Sequence, residues 1–428
     1  MNPSDAPGER GLSLQETTVN QGSKVAPMNS QRKPIAQSIR SIATNSKVWF
    51  LLFILAAFAR PTAAQQYQLT FLDDLGGNSR GNSINNPGWI AGFSLLSIPR
   101  RHATLWRDGS VLDLGTLGSP DRNSNVPWPV KNVRGIIAGI SQTNTPEPNN
   151  ESWSCAAFFG GQSGYICLGF VWQDNVMTPL YPLPGGNNSF ATGADNLGRV
   201  VGWAENGVHD STCVNGQVLQ FRPVIWGPGG GQIQTLPLFG NDTSGSATAI
   251  NNRGQIVGIS GICDQAVGRR TAKHALLWDN GTLTNLGNLG AELWITPMAI
   301  NEHGDIVGFG ATDESDLDGN YLRAFIWTRK DGMKQIDPLP VTGHVFSQAN
   351  GINERGQVVG SSCTLAGACL GFIWQNGAFT LLPGTTPLTN AVALTSSNGN
   401  SVQVVGVSSD AANGTYTGLR WTVTVTSP

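Results

Sequence analysis

One repeated unit accounts for nearly all of the chain after residue 66. Its clearest copy, residues 247–286, reads ATAINNRGQIVGIS and, after a gap, HALLWDNGTLTNL. The spacing from the tryptophan of one unit to the glycine marking the next is 30 to 33 residues, whereas the spacing from glycine to tryptophan within a unit is 14 to 33. A constant segment indicates packed structure, and a variable one indicates a surface loop. The marker residues are Gly92, Gly139, Gly202, Gly258, Gly308, Gly360 and Gly406, and Trp106, Trp172, Trp226, Trp278, Trp327, Trp374 and Trp421.

Each unit predicts four short strands. ATAIN and QIVGIS flank NNRG, which suits a type I turn, and HALLW and TLTNL flank DNG, which suits a tight hairpin turn with positive φ. No stretch of ten residues within the units shows a convincing helical period. The low charge, 13%, and the 54 glycines agree with a turn-rich β protein. We therefore predict an all-β fold, a seven-bladed β-propeller with four antiparallel strands per blade.

The first and last units are incomplete in a complementary way. After Trp421 the chain reads TVTVTSP and lacks the usual fourth strand, whereas residues 67–75 resemble the fourth strand of other units. We expect this amino-terminal strand to complete blade 7 and close the ring, which leaves no open blade interface.

Two repeated residue types have an economical structural interpretation. The tryptophan of each unit recurs at one position, which predicts packing between adjacent blades rather than a row of sugar platforms. The Asn of the INxxG motif lies at a turn position, which predicts a turn cap rather than a ring of amides lining a channel.

The repeats resemble the HAF family of bacterial extracellular repeats. The resemblance rests on AFIW at 324–327, HALLW at 274–278, LDLGTLG at 112–118 and the INxxGxIVG runs. It covers essentially the whole chain after residue 66. It implies a secreted repeat protein and does not imply an activity.

The amino-terminal residues predict an extension followed by a secretory signal. Residues 1–47 are polar and without apolar period, and residues 48–59 read VWFLLFILAAFA, with basic residues before them and RPTAAQ after them. Twelve apolar residues are short for a hydrocarbon core of ~30 Å, so a retained membrane anchor is the weaker alternative. We predict cleavage after Ala64, one propeller domain over 65–428, and a monomer located outside the cell or in the periplasm.

The charge of the mature chain excludes some partners. Removal of residues 1–64 leaves 19 basic and 25 acidic residues. A net negative charge argues against nucleic acid or an anionic membrane surface as the partner.

Six cysteines follow the signal, and all lie in the variable segments. An even number after a secretory signal predicts disulfides. Fifteen connectivities exist, of which we favour Cys155–Cys167 and Cys363–Cys369 within single loops and Cys213–Cys263 between neighbouring blades. A metal site is the alternative, but no CxxC and no nearby histidine provides ligand spacing.

The variable loops emerge at one end of a propeller, which is where we predict the binding face. Five aromatic residues outside the repeat pattern fall in these loops or in the links between blades. They would offer stacking surfaces to a glycan or anchors to a surface protein. The alternative is that they fold under the loops as small cores. The residues are Trp128, Trp153, Phe159, Tyr165 and Trp294.

One loop resembles the start of a calcium site. Glu314, Asp316 and Asp318, followed by Gly319, provide oxygen ligands at alternate positions before a sharp turn. The closing acid is missing, so a solvated acidic hairpin tip is the alternative. No other cofactor is predicted.

Catalysis has little support in the sequence. There are five histidines and no GxSxG, HExxH or phosphate-loop motif. We therefore predict a secreted propeller that binds a ligand or partner rather than an enzyme. A carbohydrate-active hydrolase or lyase is one alternative and would need at least two acids ~5–10 Å apart on the loop face. A structural envelope or adhesion protein is the other.

Overall fold

A computed structural model of the 428-residue chain provides the structure. It describes residues 67–424 apart from 99, 130–133, 152–154, 156–157, 160–163, 215, 229–230, 265–267, 269, 317–318, 397–400 and 411. The predicted extension and signal at 1–64 lie outside the described residues. Among the residues described, no helix is both long and apolar enough to cross a membrane.

Twenty of the described strands form five antiparallel four-stranded sheets, here called blades 1 to 5. Blade 1 contains β2 (Gly76–Ile84), β3 (Ile90–Leu96), β4 (Arg101–Arg107) and β5 (Ser110–Asp113). Blade 2 contains β6 (Ser124–Asn125), β7 (Ile137–Pro146), β8 (Tyr165–Gln173) and β9 (Val176–Leu180). Blade 3 contains β10 (Ser189–Ala194), β11 (Val200–His209), β12 (Leu219–Trp226) and β13 (Ile233–Thr235). Blade 4 contains β14 (Ser244–Ile250), β15 (Ile256–Gly261), β16 (His274–Asp279) and β17 (Thr282–Asn285). Blade 5 contains β18 (Ile295–Ile300), β19 (Ile306–Gly310), β20 (Arg323–Thr328) and β21 (Gly332–Ile336).

The remaining strands form one eight-stranded sheet. Its first half contains β22 (His344–Ile352), β23 (Val358–Thr364), β24 (Cys369–Gln375) and β25 (Ala378–Leu382), and its second half contains β26 (Leu388–Leu394), β27 (Ser401–Asp410), β28 (Thr415–Thr424) and β1 (Tyr67–Phe71). A single parallel bridge between Cys369 and Leu388 joins the halves.

The predicted count of seven separate blades is therefore wrong. Five blades are independent four-stranded sheets, and the strands expected to form the last two blades share one sheet. The cause is local: the link from β25 to β26 is short, and the backbone N–H of Cys369 donates to the carbonyl of Pro387 at 2.9 Å. The fold is an all-β propeller, as expected.

The sheets pack side by side in a closed series. The first strand of each sheet lies against the preceding sheet, and β2 lies against β26, β27 and β28. Strand β1 pairs with β28 from Tyr67–Val423 to Phe71–Leu419. The amino-terminal strand thus completes the last group of strands, as the sequence predicted.

The repeat tryptophans join adjacent sheets. The indole Nε1 of Trp278 donates to the carbonyl of Pro237, which follows the last strand of the preceding blade, at 2.8 Å. Trp106, Trp226 and Trp421 donate in the same way to the carbonyls of Asp73, Tyr181 and Pro383. The prediction that these tryptophans pack between blades is confirmed.

Three disulfides hold the loop end of the molecule. They are Cys155–Cys167, Cys213–Cys263 and Cys363–Cys369, the pairings that the sequence favoured. The second joins the loops of blades 3 and 4, and the third lies directly across β23 and β24.

Candidate functional site

The innermost strands carry a bulge whose extra residue bonds to the next sheet. In β14 the bulge leaves Thr248 unpaired, and its hydroxyl donates to the carbonyl of Pro297 in blade 5 at 2.6 Å. Thr192 donates to the carbonyl of Ala247 in the same way. Asn82 and Asn350 make the corresponding bonds to Val126 and Ala391. A bulge frees a side chain from the pleated pattern, and here it links neighbouring blades.

The tight turns after these strands form a second set of links. The Oδ1 atom of Asn251 accepts the N–H groups of Arg253 and Gln255, which confirms the predicted turn cap. Its Nδ2 group donates to the carbonyl of Asn301 in the next blade at 2.9 Å. Asn301 and Asn353 repeat the arrangement. One amide side chain therefore caps its own turn and bonds to its neighbour.

The residue after each capping position forms a third set, which we call the acceptor ring. A side-chain oxygen of one turn accepts the backbone N–H of the preceding turn: Asn252 from Asn196 at 2.8 Å, Glu302 from Asn252 at 3.1 Å, and Glu354 from Glu302 at 2.9 Å. Asn86 accepts from Ser396 at 2.9 Å. The ring consists of Asn86, Asn196, Asn252, Glu302, Glu354 and Ser396, and the corresponding turn of blade 2 lies outside the described residues.

The acceptor ring surrounds a cavity of about 240 Å³ at the tight-turn end, here called the axial pocket. Its floor is aliphatic and comes from the ends of four innermost strands, at Ile84, Ile250, Ile300 and Leu394. Asn85 and Asn251 complete the lining. The pocket therefore combines an apolar base with a rim of amide and carboxylate oxygens, at the end opposite the variable loops.

The rim carries negative charge. Glu302 and Glu354 are the charged residues of the described lining, and no Lys, Arg or His is part of it. One oxygen of each carboxylate accepts a backbone N–H of the preceding turn, which fixes the group in place. Basic groups lie beside the rim, outside the lining. Arg253 donates to the backbone carbonyl of Glu302 and Arg134 to that of Asn196, and His303 Nδ1 lies 3.8 Å from Glu354 Oε2.

The structure buries the aromatic residues that the sequence singled out. Trp128 and Trp294 are each only 2% exposed, and Phe159 is 9% exposed. Tyr165 is half-buried under the guanidinium of Arg122, 3.9 Å from the ring centroid. Trp153 lies outside the described residues. Burial removes the ring faces of Trp128, Trp294 and Phe159 that a ligand would need, and the guanidinium of Arg122 covers one face of Tyr165.

These aromatics form a core beneath the variable loops. Trp128, Phe159 and Trp294 belong to one cluster with Phe190 and Trp203 of blade 3. Phe158 stacks on Phe190 with ring centroids 4.6 Å apart. The cluster includes Cys155, Cys167 and Cys263 and fills the loop end of blades 2 to 5. The alternative that the aromatics fold under the loops fits this arrangement.

The carboxylate oxygens of the acidic loop of blade 5 accept backbone N–H groups, from the loop itself and from the preceding link. Both carboxylate oxygens of Asp316 accept N–H groups, from Asn320 and Tyr321 at 2.8 Å, and Glu314 accepts from Glu292 at 2.6 Å. Asp318 lies outside the described residues. Among the residues described, no three or more His, Cys, Asp or Glu side chains form a group able to hold a metal ion. Calcium at this loop stays a prediction.

Three glutamates that the sequence analysis missed meet at the loop end of blades 2 and 3. Glu151 is 2% exposed and accepts the N–H groups of Val218 and Leu219 at 2.7 and 2.6 Å. Glu205, which is fully buried, shares two donors with Glu151, the amides of Asn188 and Gln217. Glu147 accepts the N–H of Glu151 at 2.6 Å and tightens the same loop.

The burial of these groups changes their protonation. The pKa of Glu151 is raised to about 8, mainly by burial and also by the nearby carboxylates of Glu205 and Glu147, while the backbone bonds from Leu219 and Val218 oppose the rise. Burial also raises the pKa of Glu205, although the bonds from Asn188 and Gln217 oppose this. Two buried carboxylates that share donors cannot both ionise cheaply. Two acids do converge at the loop end, but both are buried, so a substrate has no access to them.

The histidines of the repeat make structural pairs. His102 is buried and bonds through Nδ1 to Asp113 at 2.8 Å and through Nε2 to the carbonyl of Pro120. Burial lowers the pKa of His102, but the bond and charge of Asp113 outweigh it and leave the pKa above its usual value. His274 makes the matching contact with Asp242 at 2.8 Å. Ser260 lies opposite His274, but its hydroxyl donates to Asp242, so among the described residues no nucleophile hydrogen-bonds to either imidazole.

Comparisons with known proteins give similarity of structure alone. No protein-family model and no curated protein matches the chain. Among solved structures, the chain is similar to a xyloglucanase from Xanthomonas campestris, with 10% identity over 80% of this chain and 53% of that one and a TM-score of 0.44. It is also similar to a protein of unknown function from Dyadobacter fermentans, with 12% identity over 84% of this chain and 98% of that one and a TM-score of 0.38. An Aleuria aurantia lectin in complex with alpha-methyl-L-fucoside shows 12% identity over 75% of this chain and 99% of that one, with a TM-score of 0.37. These scores carry no argument about function.

Sequence analysis missed the axial pocket, although a signal for it was present. The position after the Asn of INxxG, or after the Asp195 that replaces it in one unit, is itself an amide or carboxylate in five units, at Asn86, Asn196, Asn252, Glu302 and Glu354. If this turn position only had to be polar and exposed to solvent, many residue types would occur there. A recurring acceptor at that position indicates that neighbouring turns bond to each other around a common centre.

Proposed function

We propose that the protein is a secreted propeller that binds a small carbohydrate unit in the axial pocket. One observation carries the proposal: a cavity of about 240 Å³ with an aliphatic floor and a rim of fixed amide and carboxylate oxygens. Sugar hydroxyls can donate hydrogen bonds to such oxygens, and the C–H face of a sugar ring can pack on aliphatic side chains. The cavity is smaller than the roughly 300–1,000 Å³ of drug-sized pockets, which suits one ring rather than an extended chain.

Two further features support a location outside the cell. All six cysteines are paired in disulfides, which persist in oxidising compartments. The sequence also predicts a secretory signal and resembles extracellular repeats. In this proposal the tight-turn face binds the ligand, contrary to the expectation from loop length, and the packing of the aromatic residues under the loops supports this choice.

A pocket-filling variant tests the proposal. In Ser396→Tyr a large side chain enters the axial pocket, and in the control Ser315→Tyr the same change lies on an exposed loop at the opposite end. Both variants and the unaltered protein are titrated against a panel of single sugars and a glycan array. We expect sugar binding by the protein and by Ser315→Tyr, and none by Ser396→Tyr. Equal binding by both variants would place the ligand elsewhere and overturn the proposal.

A further inference from the structure

The charge of the axial pocket restricts the ligand further, an inference that rests on the proposed function. The described lining holds two carboxylates and no basic side chain. Glu302 and Glu354 follow each other around the ring, since the backbone N–H of Glu302 donates to Glu354 Oε2 at 2.9 Å. Their negative charges therefore lie on adjacent turns and face one cavity.

Each carboxylate keeps one oxygen for a ligand. Glu302 uses Oε1 for the backbone N–H and the amide of Asn252, and Glu354 uses Oε2 for the N–H of Glu302 and for His303, 3.8 Å away. Within the described part of the chain, no hydrogen bond reaches Glu302 Oε2 or Glu354 Oε1. The hydrogen bonds to Glu302 Oε1 and Glu354 Oε2 hold the two groups in place, so they need not reorganise when their other oxygens bind a ligand.

We propose that the axial pocket selects a ligand that carries an ammonium group, with the ammonium between Glu302 and Glu354. Its carbon skeleton rests on Ile250 and Ile300, and its hydroxyls bond to the amides of the rim. We expect an anionic sugar such as a uronate to be rejected, because its carboxylate would meet two like charges and the described lining holds no basic side chain to offset them. An amino sugar and a simple amine share the ammonium chemistry.

Matched ligands separate the charge from the sugar. At about pH 6, where an amine is protonated, glucosamine, N-acetylglucosamine, glucuronate and ethanolamine are titrated into the protein by calorimetry. We expect glucosamine to bind at least about tenfold more tightly than N-acetylglucosamine, because one charge-assisted hydrogen bond is enough to account for a difference of that size. Added salt should weaken glucosamine binding by screening the pair. Ethanolamine binding as tight as that of glucosamine would assign recognition to the ammonium alone and would support the proposal with a simple amine as the source.

Charge-removing variants locate the interaction. Glu302→Gln and Glu354→Gln keep an acceptor oxygen for the neighbouring N–H, so the ring persists while the charge is lost. The control Glu314→Gln removes an exposed carboxylate at the loop end. Both pocket variants should lose the preference for glucosamine over N-acetylglucosamine, and the control should keep it. Equal affinity of the unaltered protein for the two sugars would overturn the ammonium proposal and leave the proposed function standing. If no ligand of the panel or the array binds, both fall.

Discussion

At the scale of single residues, one hydroxyl can join two blades. Thr248 is fully buried at a bulge in β14, and its Oγ1 lies 3.2 Å from the carbonyl oxygen of Val257 and 2.6 Å from that of Pro297. Its single proton is donated to the closer acceptor, Pro297, which belongs to blade 5. When a buried carbonyl loses its donor, no water can replace the lost hydrogen bond. The loss of folding free energy is therefore larger than for an exposed bond.

We predict that Thr248→Val lowers the free energy of unfolding by about 1–3 kcal/mol. Valine matches threonine in shape, so packing in β14 stays the same and the lost hydroxyl is the change measured. Thr282→Val on the exposed outer strand β17 is the control and should change the free energy by less than about 0.5 kcal/mol. Urea denaturation measures both. Equal effects of the two substitutions would show that the bulge bond adds nothing to the contact between blades.

Sequence predicts local bonds at this scale and misses those between turns. The cap made by Asn251 Oδ1 follows from the INxxG spacing alone, because its partners Arg253 and Gln255 are two and four residues away. The bond from the same amide to Asn301 depends on how blades 4 and 5 are offset, and no local pattern encodes that offset. The axial pocket arises from the same offsets.

At the scale of elements, a loop of blade 2 is fastened to blade 3 by a protonated carboxyl group. Glu151 lies in the β7–β8 loop, and it holds the N–H groups at the start of β12 while facing Glu205 on β11 and Glu147 on its own loop. The folded-state pKa of about 8 lies above the ordinary value of 4.5. Between these values the folded protein holds a proton that the unfolded chain releases, so stability is greatest below about pH 4.5 and declines as the pH rises through 8.

We predict that Glu151→Gln removes much of this decline. The amide carbonyl still accepts the N–H groups of Val218 and Leu219, and no charge develops beside Glu205. The free energy of unfolding of the variant, relative to the unaltered protein, should rise by more than about 1 kcal/mol between pH 5 and pH 8. Denaturation at several pH values measures the difference. The exposed Glu314→Gln should give a flat difference, and a flat difference for Glu151→Gln would show that the carboxyl group is ionised throughout.

The sequence predicts the disulfide pairs, but it does not predict the contact between Glu151 and Glu205. Cys363 and Cys369 are six residues apart in one variable loop, and Cys213 and Cys263 occupy loops of neighbouring units, so spacing and repeat register indicate the pairs. Glu151 and Glu205 belong to different units and share no motif. Their contact arises because the long loop of blade 2 folds over blade 3, and loop length gives no direction for that fold.

At the scale of the whole molecule, the repeat predicts the propeller but not the grouping of its strands. Unit periodicity and the strand-like residues 67–75 predict that the amino-terminal strand lies beside residues 417–425, and β1 does pair with β28 there. The merging of the last eight strands into one sheet depends on the bridge between Cys369 and Leu388. Such a bridge forms only where the backbones of two strands come within hydrogen-bonding distance. The residue pattern of a strand does not specify that distance.

Closure of the ring by β1 gives the prediction at this scale. Leu69 lies opposite Trp421 and packs on the core of the eight-stranded sheet, whereas Phe71 on the same strand is 58% exposed. We predict that Leu69→Lys lowers the free energy of unfolding by about 1–3 kcal/mol and speeds amide hydrogen exchange in β28, because a lysine there cannot be buried without a partner. Phe71→Lys should alter neither. An open β28 would also expose an unpaired strand edge, so the Leu69 variant should aggregate at lower temperature. If the two variants behave alike, β1 does not contribute to the stability of the closed ring. The ring would then be held by the contacts of β2 with β26, β27 and β28.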